Sequence, residues 1–397
     1  MSGIQLYGTV FLAQCAVLCL TARLVTRLPF VEAEPDITAL DEVARGGSHA
    51  PNRSQVMRQV RFSPDGGYLL AQDNFSVVLL TVRPLVVQLR VPAENVGLAQ
   101  FTTNSREFFL IRGMTRVDGR QVKYQGGRAI VERWSSTEKR LVQMVTLPNL
   151  TCESEELSPD GETLVCVDFS GGLHLVDVPS SGLVYEREKF SSLVTFFDPG
   201  RDTFPRYEGD LGDAKFAFSP DGKFLVAVPW DGHGSAFAWD SREKRPIVLR
   251  GPLNDLNSAS AQNLQFTFVS RYSLLMTKNW LIYAKGGVVT GKVVGFPDGK
   301  VLSKPRIPPG PLHRAADPSY VLIRPFGKDQ REYPDSGARA AAVQLSTGQV
   351  IISENWTLDV WGNYYAIGQS DGRVDLYERG KGVISSVEAG GRDGDSR

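Results

Sequence analysis

Catalytic equipment is what this sequence has least of. Among 397 residues there are four histidines, His49, His174, His233 and His313. No two stand at the i, i+4 spacing that places a zinc pair on one helix face. No Gly-x-Ser-x-Gly elbow occurs, which removes the strand-to-helix serine nucleophile. Gly171-Gly172 and Gly286-Gly287 read as hairpin turns rather than phosphate-binding loops. Nothing in the chain asks for a cofactor, and no metal ligand set stands out. An excess of one charge is missing too: Lys plus Arg and Asp plus Glu are 44 each, so the formal net charge is zero. A nucleic-acid binder needs a basic footprint on the phosphates, so that class of partner is excluded. Helical periodicity is absent from Met57 onward.

Long apolar runs are scarce as well. Val10–Leu20 is uncharged but, at eleven residues, too short for an ordinary membrane span. It suits the core of a signal peptide, although Arg23 and Arg27 follow it and no basic residue precedes it. Residues 1–30 therefore read as a signal-peptide-like or anchor segment, with a structural or mis-started segment as the third reading. Export to the periplasm is the expectation and a cytoplasmic location the alternative. Membrane association is expected through this segment only. Residues 31–56 read as a linker, and the Gly-, Asp- and Arg-rich residues 389–397 as a disordered tail.

What the chain has in quantity is turn punctuation, with 39 Gly and 23 Pro, and an apolar fraction of 42%, ample for a packed core. Ser-Pro-Asp-Gly occurs three times, at 63–66, 158–161 and 219–222, each time between apolar strands. Pro presets its φ, Asp bonds back to the turn backbone, and Gly takes the positive-φ position, so each copy reads as a hairpin. From Cys152 to Lys189 strands and turns alternate to give a four-stranded antiparallel meander. The same grammar starts units near 57, 97, 152, 213, 261, 312 and 356, with a mean spacing of roughly 50 residues, in the range of propeller blades. A lone meander cannot bury both faces, whereas seven packed radially can. The expected fold is all-β, a seven-bladed propeller over residues 57–388, with insertions at 113–127, 196–212 and 326–337. The last unit holds four strands of its own, so the ring is expected to close without a strand exchanged from the N-terminus.

Cys152 and Cys166 flank the second Ser-Pro-Asp-Gly turn. Folded back as a hairpin, they fall within a residue or two of facing each other. They read either as two small half-buried thiols or, in an oxidising compartment, as a disulfide.

The Ser-Pro-Asp-Gly hairpins resemble those of bacterial WD-repeat-like and Tol-type propellers. Two third strands, Phe237-Ala-Trp239-Asp240 and Arg373-Val-Asp-Leu-Tyr377, are similar to those of WD repeats. The Gly-His pair frequent in WD repeats is absent, so their Asp-His-Ser-Trp network is not carried over. The resemblance implies a rigid disk whose loops and central channel bind partners. It implies no particular activity, because propellers host scaffolds and enzymes alike.

Asp73-Asn74, Asp168, Asp231 and Asp371 share the turn between second and third strands. Asp in such a turn caps its own backbone. In lactonase-type propellers, carboxylates converging at the channel hold a divalent metal, which supplies the alternative function of a metal-dependent lactone or ester hydrolase. His174 reads as an ordinary half-buried strand residue. Trp230, Asp231 and His233 lie in a Gly-rich inter-strand turn, a position from which side chains can face the channel mouth, and are the candidate binding residues. Trp230, Trp280 and Trp356 read either as a contact patch or as filling between blades. The leading expectation is a monomeric, non-catalytic platform that binds a protein or peptide partner or a ligand.

Overall fold

The structure is a computed structural model. It describes residues 41–42 and 56–390, apart from 93–95, 113–115, 119–120, 124–128, 148–151, 169–170, 189, 191–213, 230–234, 258–263, 278–288, 309, 324–339 and 354–356. Seven blade sheets follow one another along the chain, and a separate two-stranded antiparallel pair, Arg116–Asp118 with Gln121–Lys123, stands in the connection 113–128. Blade 1 is Gln59–Phe62, Tyr68–Gln72, Ser76–Val82 and Leu85–Pro92. Blade 2 is Val96–Phe101, Glu107–Arg112, Ala129–Ser135 and Arg140–Leu147. Blade 3 is Cys152–Leu157, Thr163–Asp168, Leu173–Asp177 and Gly182–Arg187. Blade 4 is Ala214–Phe218, Phe224–Pro229, Phe237–Asp240 and Arg245–Pro246, followed by a short 3-10 helix at Gly251–Asn257. Blade 5 is Gln265–Ser270, Ser273–Thr277, Val289–Gly295 and Val301–Ser303, with Arg306–Ile307 also on its third strand. Blade 6 is Leu312–Arg314, Tyr320–Ile323, Ala340–Gln344 and Val350–Ser353. Blade 7 is Thr357–Trp361, Tyr364–Gly368, Arg373–Glu378 and Gly382–Glu388. A two-residue strand from the expected linker, Asp41–Glu42, adds in parallel to the outer strand of blade 6.

The second and third strands explain why the blades must stack. Leu69–Ala71, Val77–Leu80, Phe108–Ile111, Leu164–Val167 and Leu225–Val228 are buried without interruption. Alternate residues point to opposite faces of a sheet, so an unbroken apolar run means that both faces are covered. Leu69 packs against Ala366 and Leu376 of blade 7, whereas Leu70 packs against Phe101 and Phe108 of blade 2. Seven such clusters fill the seven blade-to-blade spaces, the last joining blade 7 to blade 1. The fourth strands form the outer rim and leave Val86, Met144, Leu183 and Val383 exposed.

The ring closes without a shared strand, since blade 7 owns all four of its strands, and Met57 N–H donates to the Gln369 carbonyl at 3.3 Å across the junction. Phe62 N–H donates to Asp359 Oδ2 at 2.8 Å, and Trp361 Nε1 donates to the Pro64 carbonyl at 2.9 Å. Arg90 Nη1 donates to the Ala389 carbonyl at 2.7 Å.

The three Ser-Pro-Asp-Gly turns are built alike. Ser63, Ser158 and Ser219 are fully buried. Each hydroxyl donates to the Asp two residues on, at 2.6, 2.6 and 2.8 Å. Each also accepts the N–H of Tyr68, Thr163 or Phe224, at 2.9, 2.8 and 2.9 Å. The closing glycine is required twice over at Gly161. Its φ is +78°, and a Cβ there would lie 2.0 Å from Phe109 Cζ of the preceding blade. Blade 2 makes the same turn from Thr102-Thr103-Asn104-Ser105, with Thr102 Oγ1 donating to Asn104 Oδ1 at 2.7 Å and Ser105 at φ 61°.

Candidate functional site: the axis and the face of long connections

The first strands of blades 7 and 1, 3 and 4, 4 and 5, and 5 and 6 lie against one another, which makes the first strands the innermost ones. Their polar side chains tie blade to blade. Gln59 Nε2 donates to the Ala99 carbonyl at 3.1 Å, and Gln100 Nε2 donates to the Leu157 carbonyl at 2.8 Å. Glu156 accepts the Phe218 N–H, and Lys215 Nζ donates to Gln265 Oε1. Asp359, 1% exposed, accepts from Phe62, from Ala316 N at 3.1 Å and from Val360 N at 2.9 Å, joining blades 6, 7 and 1.

Charged side chains gather on these strands. Arg61, Glu155, Glu156, Lys215 and Arg314 stand among buried neighbours but keep part of their own surface accessible. Glu156 on blade 3 feels Arg61 of blade 1, Lys215 of blade 4 and Arg314 of blade 6. Blades 3 and 6 lie three places apart, so they can only meet across the axis. The channel is thus lined by interleaved cations and carboxylates.

Burial there disfavours charge. It pushes Glu155 up to about 8, with the neighbouring Glu156 adding to the rise. It raises Glu156 to about 7 against the pull of Arg61, the Phe218 amide, Lys215 and Arg314. It brings Asp359 to about 6 against its three backbone donors and Arg61. Arg314 is lowered to about 10, first by burial and then by repulsion from Arg61.

The turn carboxylates are engaged locally. Asp73 Oδ1 accepts the N–H groups of Phe75 and Ser76, at 2.7 and 2.6 Å. Asp168 accepts Gly172 N at 2.9 Å and holds His174 Nε2 at 2.7 Å. Asp371 accepts Arg373 N at 3.1 Å. Among the described residues, no group of three or more His, Cys, Asp or Glu side chains is placed to hold a metal ion. Trp230, Asp231 and His233 lie outside the described residues, as do Trp280, Trp356 and His49. Cys152 and Cys166 are both buried, with Cα atoms 5.5 Å apart and sulfurs at bonding distance. A register shift follows Cys152, which pairs with Asp168 while Glu155 pairs with Cys166.

Connection length divides the two faces of the wheel. Turns joining first to second strands, and third to fourth, are short in every blade, none longer than five residues. The long connections, 113–128, 188–213, 247–264, 278–288 and 324–339, all run between second and third strands or between blades. They therefore leave from one face only. The turn holding Trp230, Asp231 and His233 starts from that face too, after Pro229.

Sequence reasoning missed the axial residues because each looks like an ordinary polar residue of a half-buried strand. The one available signal is position: Arg61 and Glu156 each stand two residues before the Ser of a Ser-Pro-Asp-Gly turn.

Among the described residues no helix is long and apolar enough to cross a membrane. No protein family matches the sequence, and no curated protein matches it. Among solved structures, the chain is similar to the Kuenenia stuttgartiensis hydrazine synthase, with 13% identity and a TM-score of 0.47, over 85% of this chain and 99% of that one.

Proposed function

We propose that this propeller is a non-catalytic binding platform that receives a protein or peptide partner on the face where the long connections open. The observation that carries this reading is the segregation of connections: five long ones leave from one face, and the first-to-second and third-to-fourth strand turns on the other are all tight. Loops positioned by a rigid scaffold are where binding residues concentrate. Trp230, Asp231 and His233 stand in sequence between a second strand, ending at Pro229, and a third, starting at Phe237, and are the candidate contacts. The rival metal-dependent hydrolase needs oxygen donors with open lone pairs converging on one point. The described axial carboxylates are instead interleaved with Arg61, Lys215 and Arg314, and Asp359 accepts three backbone N–H groups.

Kinship with WD-repeat-like or Tol-type propellers is part of the proposal, supported by three Ser-Pro-Asp-Gly turns with the same hydrogen bonds. Export is part of it as well, supported by the signal-like Val10–Leu20 run and by the juxtaposed Cys152 and Cys166. The test is cross-linking capture in the native host with the chain as bait. Replacing Trp230, Asp231 and His233 together by Ala should abolish the captured species while leaving the melting temperature unchanged. A control on the opposite face, Lys381→Ala, should capture normally. Equal capture by both variants removes the three residues, and capture lost only in the control places the partner on the wrong face for this reading.

A further inference from the structure

One rim strand differs from the other six. Val350–Ser353, the outer strand of blade 6, buries three of its four residues and exposes none. The outer strand of blade 1 buries two of eight, and those of blades 2, 3, 4, 5 and 7 all leave residues exposed. A bare Val-Ile-Ile edge would present unpaired N–H and C=O groups beside apolar side chains, the kind of edge that recruits another strand. Here that strand comes from the same chain: Asp41 and Glu42 pair in parallel with Ile351 and Ile352.

The direction of the pairing matters. Each outer strand runs from the face of tight turns to the face of long connections, so a parallel neighbour also ends on the latter face. Gln59 starts blade 1 from that same face. Just before it the chain is held by blade 7. Met57, 1% exposed, lies in one cluster with Ala366, Val374 and Leu376, and its N–H donates to the Gln369 carbonyl at 3.3 Å. The fit is close, since a Cβ on Gly368 would stand 2.5 Å from the Met57 Cβ.

We propose that residues 40–43 dock along the whole outer edge of blade 6, and that this docked segment and Met57 form a clasp holding the ring shut across blades 6, 7 and 1. Extending the register by one residue each way sets Leu40 opposite Val350 and Val43 opposite Ser353, which matches the four-residue edge. The occupant is this chain's own segment, because the parallel direction delivers residue 43 to the face from which blade 1 starts, two blades on. Blade 7 shares no strand with blade 1, so the clasp supplies a fastening that the sheets themselves lack. This inference is independent of the partner face, and its failure leaves that reading intact.

The experiment is hydrogen exchange of the full chain followed by mass spectrometry, with light scattering on the same samples. Peptides over 350–353 should hold all their amides against exchange, whereas those over the bare rim strand 140–147 should hold only the amides bonded to their third strand. Alternate residues of a strand bond to a given neighbour, so replacing both Asp41 and Glu42 by Pro removes the donor whichever residue supplies it. Asp41→Pro with Glu42→Pro should speed the outward amides of 350–353 about tenfold or more, and should also speed 59–62 and 357–361, while 163–168 stays unchanged. Asp41→Ala with Glu42→Ala keeps the backbone donors and should exchange like the unaltered chain. Exchange at 350–353 already as fast as at 140–147, a proline pair without effect, or an alanine pair as disruptive as the proline pair would each overturn the docking. Faster exchange at 350–353 with 59–62 and 357–361 unmoved would overturn the clasp. A monomer by light scattering supports a segment docked on its own blade 6, and a dimer that the proline pair dissolves would put the strand on a second copy and overturn the proposal.

Discussion

Replacing Gly161 and Gly380 by alanine, one at a time, separates backbone strain from blade packing. Both glycines have nearly the same left-handed backbone, with φ +78° and +76°. Both substitutions therefore share the cost of a Cβ in that region, about 1–2 kcal/mol. They also share the smaller opposing gain from stiffening the unfolded chain, about 0.4–1 kcal/mol. Their surroundings differ. At Gly380 nothing lies within 4 Å of the new Cβ, whereas at Gly161 it meets the Phe109 ring at 2.0 and 2.2 Å. Phe109 is 4% exposed and packed among Ile111, Leu157 and Leu164, so its ring has little room to retreat. Forcing an extra carbon into a packed core costs about 1–3 kcal/mol. Gly161→Ala should thus be destabilised more than Gly380→Ala by about 1–3 kcal/mol, read from urea unfolding midpoints with the slopes checked for equality. Removing the ring supplies the internal control. The double variant Phe109→Ala with Gly161→Ala should lose less than the sum of its single changes, by about the same 1–3 kcal/mol. Equal losses at Gly161 and Gly380, with additive effects in the double variant, would refute the claim that this turn is wedged against the preceding blade.

Stability should depend on pH with an unusual sign. Glu155, Glu156 and Asp359 bind protons more tightly folded than unfolded, at about 8, 7 and 6 against ordinary values of 4.5, 4.5 and 3.8. The stability they contribute is complete below about 4 and is lost as pH rises through those raised values, so the urea midpoint should be higher at pH 5.5 than at pH 8.5. The pair of changes Glu155→Gln and Glu156→Gln should flatten this dependence, and a higher midpoint at pH 8.5 in the unaltered chain would contradict it. Ser219→Ala removes the acceptor of the buried Phe224 N–H at 2.9 Å and should cost about 1–3 kcal/mol in thermal unfolding. Alkylating the denatured chain without reductant should label Cys15 and Cys19 but neither Cys152 nor Cys166. Reduction should then lower stability by about 3 kcal/mol for a bridge of 14 residues' separation.

How much of this was readable beforehand follows from where the information sits. Ser-Pro-Asp-Gly is a local signal, since the bend, the buried Ser hydroxyl and the positive-φ glycine lie within a few residues. The unbroken apolar runs in second and third strands likewise announce burial on both faces. Unit starts expected near 57, 97, 152 and 213 stand at Gln59, Val96, Cys152 and Ala214. The blade 2 turn escaped because Thr102 and Asn104 supply two of the corresponding hydrogen bonds, and Ser105 the positive φ, without Pro or Gly. Asp41–Glu42 escaped because a two-residue strand has no pattern of its own. The axial cluster escaped for a deeper reason. Arg61 and Arg314 are far apart in sequence, and only closing the ring makes them neighbours of Glu156.

Ring closure is the claim on which the axis, the two faces and the platform all rest. Hydrogen exchange followed by mass spectrometry on peptides covering 59–62 and 357–361 tests it most directly. With Phe62 N–H bonded to Asp359, both segments should exchange as slowly as the innermost strands of blades 3 and 4, and Asp359→Ala should speed them together. Exchange within seconds at 59–62 and 357–361, beside protected blades 3 and 4, would mean that the wheel is open.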